Sequence, residues 1–479
     1  MLRQPQPALL RLTQHWDIGF DDKMCYEFLA GGREKIMIDT DQTTLEKLLE
    51  TLETRQATIA VIGLGYVGLP LAKGLAHRGF SVFGIEENED KVRLIGEGRD
   101  YIDPHLTDLP ELLERLKPTT DFSVVGSSQV VIVCVPTPLT KNLEPDISYV
   151  EKVSKAIGAH IQPGTLVILE STTYPGTTDE VVRPAVESGG RVKNVGKDYF
   201  LAFSPERVDP GNPHYNTYNT TKVLGGATPA CSQAARAVYE ALLEDPELVR
   251  TASCTRAAEM EKLFENIFRS VNIALVNELA ILCRSMGLDV WEIIDLASSK
   301  PYGFMPFYPG PGIGGHCIPL DPFYLAWKAR EYDFRTRFIE LAGELNALMP
   351  RHVVELASEA LAHKGLSGAS VLIVGAAYKP NISDSRESPA IRIAELLGKR
   401  GARLSLYDPL AQELRLRDGQ TLLTISQIGD KTFDLVVLLT VHDGMNLEEL
   451  CRCGDKVVDT RGVTRGLDLP GDILVLGTG

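Results

Sequence analysis

One pattern occurs twice in this chain of 479 residues. "ATIAVIGLGYVGLPLAKGLAHRGFSVFGIEENEDK" begins at Ala57, and "ASVLIVGAAYKPNISDSRESPAIRIAELLGKRGARLSLYDP" begins at Ala369. Each runs through an apolar strand, a turn, a helix, an Arg-Gly pair, a second strand and an acid. The segments "RGFSVFGIEE" and "RGARLSLYDP" align end to end. Unbroken apolar strands need cover on both faces, so they imply parallel sheets with helices packed on each side. Three further segments, "QVVIVCVPTP", "GTLVILESTTYPGTT" and "YFLAFSPERVDPG", each end an apolar strand in a loop of polar, Gly or Pro residues.

Between the two copies lies a long helical stretch. It runs from about Thr255 to Met286, and Gly287 is a plausible stop. At 1.5 Å per residue it spans roughly 45 Å, enough to bridge two domains. The predicted fold class is α/β: two Rossmann-like doubly wound domains joined by a long central helix. The expected boundaries are a 1–55 extension, a 56–250 dinucleotide-binding domain, a 251–345 central helical domain and a 346–479 second Rossmann-like domain. In the extension, Leu45, Leu48, Leu49 and Leu52 share a helix face that reads as a packing or dimer element.

Composition narrows the function. The net charge of −15 argues against nucleic acid or an anionic membrane as partner. No leader is evident, and no unbroken apolar run approaches ~18 residues, so the chain is expected to be cytoplasmic. Eight cysteines without a CxxC pair do not read as a disulfide framework or a zinc site, and no metal is expected.

"GLGYVG" supplies Gly63, Gly65 and Gly68 after the first strand. Glu86 follows 23 residues after Gly63, at the end of the next strand. That spacing suits pyrophosphate on a helix N-terminus and ribose hydroxyls on the acid. A carboxylate there repels a 2′-phosphate, so NAD is expected over NADP; Lys91 nearby weakens the preference slightly. The second copy has "GAAYKP" in place of the three glycines.

Lys262, Asn266 and Arg269 follow i, i+4, i+7 on the long helix and share one face. Such a stripe is either a functional surface or a solvated one. Glu206 in "SPERVDPG" and Thr172 in "STTYPG" stand at strand ends, where doubly wound sheets bind ligands. Lys379 and Arg386 in "YKPNISDSRESP" suit phosphates, or a surface ion-pair loop. "GPGIGGHCIPLDPFY" places the lone Cys317 in a stiff glycine loop that reads either as a nucleophile site or as a buried cysteine in a tight turn.

Taken jointly, these motifs resemble the UDP-glucose/GDP-mannose 6-dehydrogenase family from about residue 56 onward. "SPERVDPGN", "SKPYGFMPFYPGPGIGGHCIPLDPFYL" and "YKPNISDSRESP" look most like the branch acting on UDP-N-acetylglucosamine. The resemblance implies four-electron oxidation of a sugar C6 alcohol with NAD and Cys317 as nucleophile. Lys262 would stabilise the oxyanion or act as acid/base, with Asn266 at the same centre and Glu206 as base in hydrolysis. Asp321 and Thr172 would position Lys262 and water. Arg207, Val208, Arg269, Gly314, Lys379 and more weakly Arg461 fall at substrate positions, beside Lys262 and Asn266. Gly63, Gly65, Gly68, Glu86, Lys91, Thr137, Thr172 and Arg386 fall at cofactor positions. A homodimer or higher homo-oligomer and a place in polysaccharide biosynthesis are also implied. Leu320 stands where the UDP-glucose branch has Lys, which argues against plain UDP-glucose; UDP-N-acetylmannosamine and UDP-glucose are kept as the alternative substrates. A two-electron hydroxyacid-type dehydrogenase would need no thiol, and a catalytically inactive nucleotide-sugar-binding protein could have lost Cys317, Lys262 or Glu206.

Overall fold

The computed structural model describes residues 42–102, 108–140, 142, 144–208, 212, 214–315 and 318–479. The first sheet contains β1 (Thr58–Ile62), β2 (Ser81–Ile85), β3 (Leu116–Thr119), β4 (Val130–Val133), β5 (Leu166–Leu169), β6 (Phe200–Phe203), β7 (Lys222–Gly226) and β8 (Val249–Thr251). Their order is β3-β2-β1-β4-β5-β6-β7-β8. The β4 run "VVIV" and the β5 run "LVIL" are buried at every position, as β-branched and leucine runs in a doubly covered sheet should be. One pairing departs from the expected parallel sheet: β6 and β7 are antiparallel, and β8 then runs parallel to β7.

The second sheet is wholly parallel. It uses β9 (Ser370–Val374), β10 (Arg403–Tyr407), β13 (Phe433–Leu438), β14 (Gly454–Asp459) and β15 (Asp472–Val475), in the order β10-β9-β13-β14-β15. The short strands β11 (Glu413–Arg415) and β12 (Thr421–Leu423) form a separate antiparallel pair.

The bridging helix spans Thr255–Met286, and Gly287 ends it with φ 70°, a left-handed turn that favours glycine. Asn277 Nδ2 donates to Asn346 Oδ1 at 3.0 Å, and Asn346 Nδ2 donates to the Ser270 carbonyl at 3.0 Å. These buried amides fasten the central helix to the helix Arg337–Ala360. By length and composition an apolar window of the central helix would also pass for a membrane span. A search for unbroken apolar runs passes over it because charges interrupt it. Its Leu263, Ile267, Ala274 and Ala280 are buried against protein. Of the 1–55 extension, residues 42–55 are described. They hold a helix, Gln42–Glu53, whose Leu48 and Leu52 are buried in the core of the first lobe. Leu45 is partly buried against the same core, so the packing reading of this face holds.

Candidate active site

The first turn is built for close approach. Gly63 has φ +88°, and a Cβ there would lie 2.7 Å from the Cys134 carbonyl oxygen. A Cβ at Gly68 would lie 1.9 Å from the Gly63 carbonyl oxygen, so the helix Gly68–His77 starts hard against the turn. A Cβ at Gly65 would meet no protein atom within 4 Å. That open backbone face, at the head of a helix, fits a pyrophosphate. Glu86 Oε2 accepts the Leu64 N–H at 3.1 Å and lies 3.6 Å from Lys91 Nζ. Its side chain is 12% exposed, so the carboxylate is braced yet reachable by ribose hydroxyls. The residues present fit NAD.

The ends of β4 and β5 are tied together. Thr137 Oγ1 donates to the Thr172 carbonyl at 2.7 Å, and the Tyr324 hydroxyl donates to the Thr137 carbonyl. Tyr324 sits on the helix Asp321–Ala329, directly after the cysteine loop. The same helix begins with Asp321, which accepts a hydrogen bond from Asn266 Nδ2 on the central helix. Lys262, one turn earlier, is buried and forms no hydrogen bond with another described residue. Burial pushes the Asp321 carboxyl up to about 7, although the Lys262 charge and the Asn266 amide oppose that. The predicted trio of Lys262, Asn266 and Asp321 therefore forms one cluster. Arg269, on the same predicted stripe, is exposed.

Glu206 lies at the end of β6 in a cage of donors. Its Oε1 accepts the N–H groups of Arg207 at 2.8 Å and Val208 at 2.7 Å, and its Oε2 lies 3.1 Å from Lys222 Nζ. Lys222 Nζ also lies 2.8 Å from Glu170 Oε1, which accepts the Tyr239 hydroxyl at 2.7 Å. Burial alone would raise the Glu206 carboxyl. The Lys222 charge and the two N–H donors outweigh it, and the group is held below its usual range. Arg207 turns its guanidinium toward Glu265 on the central helix, with Glu261 at 3.5 Å and the Thr221 carbonyl at 2.9 Å.

The second lobe closes over the loop that precedes Cys317. A Cβ at Gly314 would lie 2.7 Å from Tyr378 Cβ and 2.9 Å from the Glu387 carbonyl. Gly315 has φ +88° and faces the Tyr378 ring. Arg461 lies against Gly310 and donates through Nε to the Leu439 carbonyl at 2.9 Å; burial lowers its guanidinium to about 10, against the opposing charge of Asp459. Lys379 is half-buried in the turn after β9. Arg386 binds Asp384 through Nε at 2.9 Å and Nη2 at 2.8 Å, and its guanidinium lies 4.7 Å from the Tyr66 ring centroid. The turns of the two lobes thus meet. Cys317 lies outside the described residues, and its proposed role rests on sequence.

Sequence reading missed Lys222, Glu170 and Tyr324. Glu170 carries a detectable signal, since an acid directly after the buried run "LVIL" needs a partner. Lys222 gives none, because one lysine opening a strand reads as a surface residue. No group of three metal-ligating side chains occurs among the described residues.

Comparison with known proteins gives three family matches in chain order. They are the NAD binding domain of the UDP-glucose/GDP-mannose dehydrogenase family over residues 57–243, its central domain over 256–348 and its UDP binding domain over 372–466. A UDP-N-acetyl-D-mannosamine dehydrogenase of Escherichia coli K12 is 36% identical over 436 residues, 85% of this chain and 99% of that protein. An NDP-N-acetyl-D-galactosaminuronic acid dehydrogenase of Ralstonia nicotianae is 35% identical over 85% of this chain and 96% of its own length. The solved structure of a UDP-D-ManNAc dehydrogenase from Pyrococcus horikoshii superposes with TM-score 0.79 and 31% identity, covering 88% of this chain and 99% of that one.

Proposed function

The chain belongs to the UDP-glucose/GDP-mannose dehydrogenase family, and from that premise we propose its substrate and the residues that carry its chemistry. It is an NAD-dependent nucleotide-sugar dehydrogenase. The proposed substrate class is a UDP-N-acetylhexosamine, oxidised at C6 to the carboxylate. The motif resemblance points to the glucosamine epimer, but the E. coli and P. horikoshii relatives are named for the mannosamine epimer. UDP-N-acetylmannosamine therefore moves to first place and UDP-N-acetylglucosamine to second. The proposed boundaries stay at 56–250, 251–345 and 346–479.

The observation that supports this reading most is the cluster of buried Lys262 and Asp321 with half-buried Asn266 beside the β4 and β5 strand ends. A cation and an amide at one centre can stabilise an alkoxide and then a tetrahedral oxyanion. NAD supplies a hydride acceptor for each oxidation, so alcohol, two NAD⁺ and water give carboxylate, two NADH and three protons. The Cys317 thiolate adds to the C6 aldehyde, holding it until it is oxidised to a thioester. Water then attacks the acyl carbon, Glu206 takes its proton, and the C–S bond breaks to return the thiolate. Lys379, Arg269 and Arg461 are the proposed contacts for the UDP-sugar, with Arg207, Val208 and Gly314 shaping its seat.

A homodimer across the central helices is also proposed. Val271, Leu275 and Leu279 read as one stripe, and Leu275 is 61% and Phe264 64% exposed. Val271 and Leu279 instead pack within their own protomer. A monomer by light scattering would remove this reading. For the substrate, the test is turnover of UDP-N-acetylmannosamine, -glucosamine and -galactosamine and of UDP-glucose with NAD, read as NADH. The expected result is two NADH per sugar with one N-acetylhexosamine at least about 100-fold ahead of UDP-glucose. Faster turnover of UDP-glucose would overturn the assignment.

A further inference from the structure

We infer that Lys222 is a positioning residue for the hydrolytic half of the reaction: it pins Glu206 as an ionised, oriented base, and Glu170 anchors Lys222 from the other side. The inference rests on the reading of Glu206 as the base that activates water.

The geometry is a buried relay that no motif describes. Lys222 opens β7, the strand that turns antiparallel to β6. That reversal sets Lys222 beside the end of β6, where Glu206 stands, and beside the end of β5, where Glu170 stands. Lys222 is 5% and Glu170 1% exposed. Neither belongs to the cofactor turn, the Lys262 cluster or the lobe contact. A buried lysine between one buried and one half-buried carboxylate is costly unless it stays charged and paired. Here the pairing distances are 2.8 Å to Glu170 and 3.1 Å to Glu206. The Tyr239 hydroxyl, from the helix Pro229–Leu242, supplies Glu170 with a second donor. The Cys134 thiol, after β4, supplies a third at 3.6 Å.

The consequence concerns orientation as well as charge. Glu206 Oε1 is occupied by two backbone N–H groups, and Lys222 fixes Oε2. An acceptor has two lone pairs, so Oε2 keeps one for a water while Lys222 holds the carboxylate plane. The other charges near Glu206 are Glu170 and the adjacent Arg207, and Arg207 in turn faces the central helix. Glu261 and Glu265 face Arg207, and Lys262 lies on the same helix. Arg207 pairs with those two glutamates, which leaves Lys222 as the cation in hydrogen-bond contact with the Glu206 carboxylate.

The sign of the pH effect follows. With Lys222 present the carboxyl lies below its usual range and Glu206 stays ionised through neutral pH. Without it, burial and the remaining Glu170 charge are opposed by the Arg207 charge and the two backbone N–H donors but no longer by a lysine in contact, and the carboxyl rises. Loss of a neighbouring opposite charge typically moves a carboxyl by about 1–3 units. The acid limb of hydrolysis should move up by the same amount.

The test measures thioester hydrolysis apart from the oxidations. UDP-N-acetylmannosamine, or whichever UDP-N-acetylhexosamine the substrate panel shows to be turned over, is mixed with enzyme and excess NAD. The first NADH burst and the decay of the enzyme-bound mass adduct are followed against pH. Lys222→Met should keep the burst and shift the acid limb of adduct decay upward by about 1–3 pH units. Lys222→Arg should restore the wild-type limb. An unmoved limb in folded Lys222→Met overturns the inference. If that variant does not fold, Lys222→Met/Glu170→Gln removes the charge pair together; an upward shift smaller than that of the single variant is expected, because the Glu170 charge is lost too, and an unmoved limb again overturns it. Glu206→Gln separates the two readings. If it slows adduct decay while Lys222→Met leaves the limb in place, only the role of Lys222 falls. If Glu206→Gln leaves decay unchanged, the base assignment falls and this inference with it.

Discussion

The two Rossmann-like lobes share a turn and differ in what fills it. Gly63 and Gly375 have φ +88° and +92°, and each backs onto the segment just after a neighbouring strand of its sheet, β4 or β13: a Cβ would lie 2.7 Å from the Cys134 carbonyl oxygen or 2.2 Å from that of Thr440. In each lobe the acid after the second strand accepts an N–H from the turn. Leu64 donates to Glu86 at 3.1 Å, and Ala376 donates to Asp408 at 2.7 Å. The resemblance ends there. Asp408 is 2% exposed and also accepts from the Leu410 and Ala411 N–H groups at 2.8 Å each and from His442 at 3.1 Å. Asp408 is fully engaged by its own lobe, whereas Glu86 keeps an open edge. Ala377 stands where the first lobe has Gly65, and Pro380 where it has Gly68. The first-lobe helix starts at Gly68, but the second-lobe helix starts only at Pro389. The intervening residues form the long loop that carries Lys379 and Arg386. A duplicated skeleton thus carries the cofactor turn in one lobe and, in the proposed reading, a ligand-contacting loop in the other.

The largest expected effect separates the two acids. Asp408→Ala leaves His442 and several buried N–H groups without an acceptor and should destabilise the chain by about 2–4 kcal/mol in urea unfolding. The KM for NAD should not change. Burial alone would raise the Asp408 carboxyl, but His442 and the N–H groups of Ala411, Leu410 and Ala376 bring it below its usual value. A depressed carboxyl contributes stability above its unfolded pKa, and that contribution fades as pH falls through the folded one. Asp408→Asn should therefore flatten the loss of stability below about pH 4. Glu86→Ala should do the reverse: stability within about 0.5 kcal/mol of wild type, a raised KM for NAD and a narrowed preference over NADP. Equal turnover of NAD and NADP by the unmutated protein would remove the role given to Glu86.

A second contrast is slightly smaller. Gly65→Val finds no protein atom to strike, so Tm should hold while NAD affinity falls by about 100-fold, roughly 2.7 kcal/mol. Ala377→Gly in the other lobe should create no NAD site, because Asp408 remains engaged. Calorimetric titration of each variant decides both. An unaltered NAD affinity in Gly65→Val would show that the open face of this turn is not where the cofactor lies.

Much of this was legible because it is local. The strand–turn–helix–strand repeat, the ends of the central helix and the spacing of Lys262 and Asn266 depend on neighbours within one or two turns. What was not legible depends on sheet order. Glu170, Lys222 and Tyr239 meet only because β5, β6 and β7 lie side by side with β7 reversed, and a short apolar strand does not reveal its direction. The Asp408–His442 contact likewise joins the ends of two strands. Arg207 was read as a ligand contact, and its pairing with Glu265 became visible only once the central helix was placed across the β6 end. The stripe that held Lys262 and Asn266 also predicted Arg269, which is exposed.

The smallest effect tests whether the lobes cooperate at all. The fourth residue of each turn is a tyrosine. Tyr378 packs beneath Gly314 and Gly315, while Tyr66 faces Arg386 from the opposite lobe at 4.7 Å. Tyr66 is 46% exposed, and the Arg386 side chain is 52% exposed. A cation–π contact this wet is worth about 0.5–1 kcal/mol. Asp384 already binds both sides of the guanidinium fork, so Arg386 does not depend on Tyr66 for its position. Tyr66→Phe keeps the ring and should be silent. Tyr66→Leu should lose the contact, and a double-mutant cycle with Arg386→Met should return a coupling of about 0.5–1 kcal/mol in urea unfolding. If Arg386 also serves bound NAD, the coupling should change when the cycle is repeated with saturating cofactor, because the same cation then has a second partner. Zero coupling under both conditions would mean that the two turns touch without communicating, and that the cofactor turn and the substrate loop work as independent halves of the site.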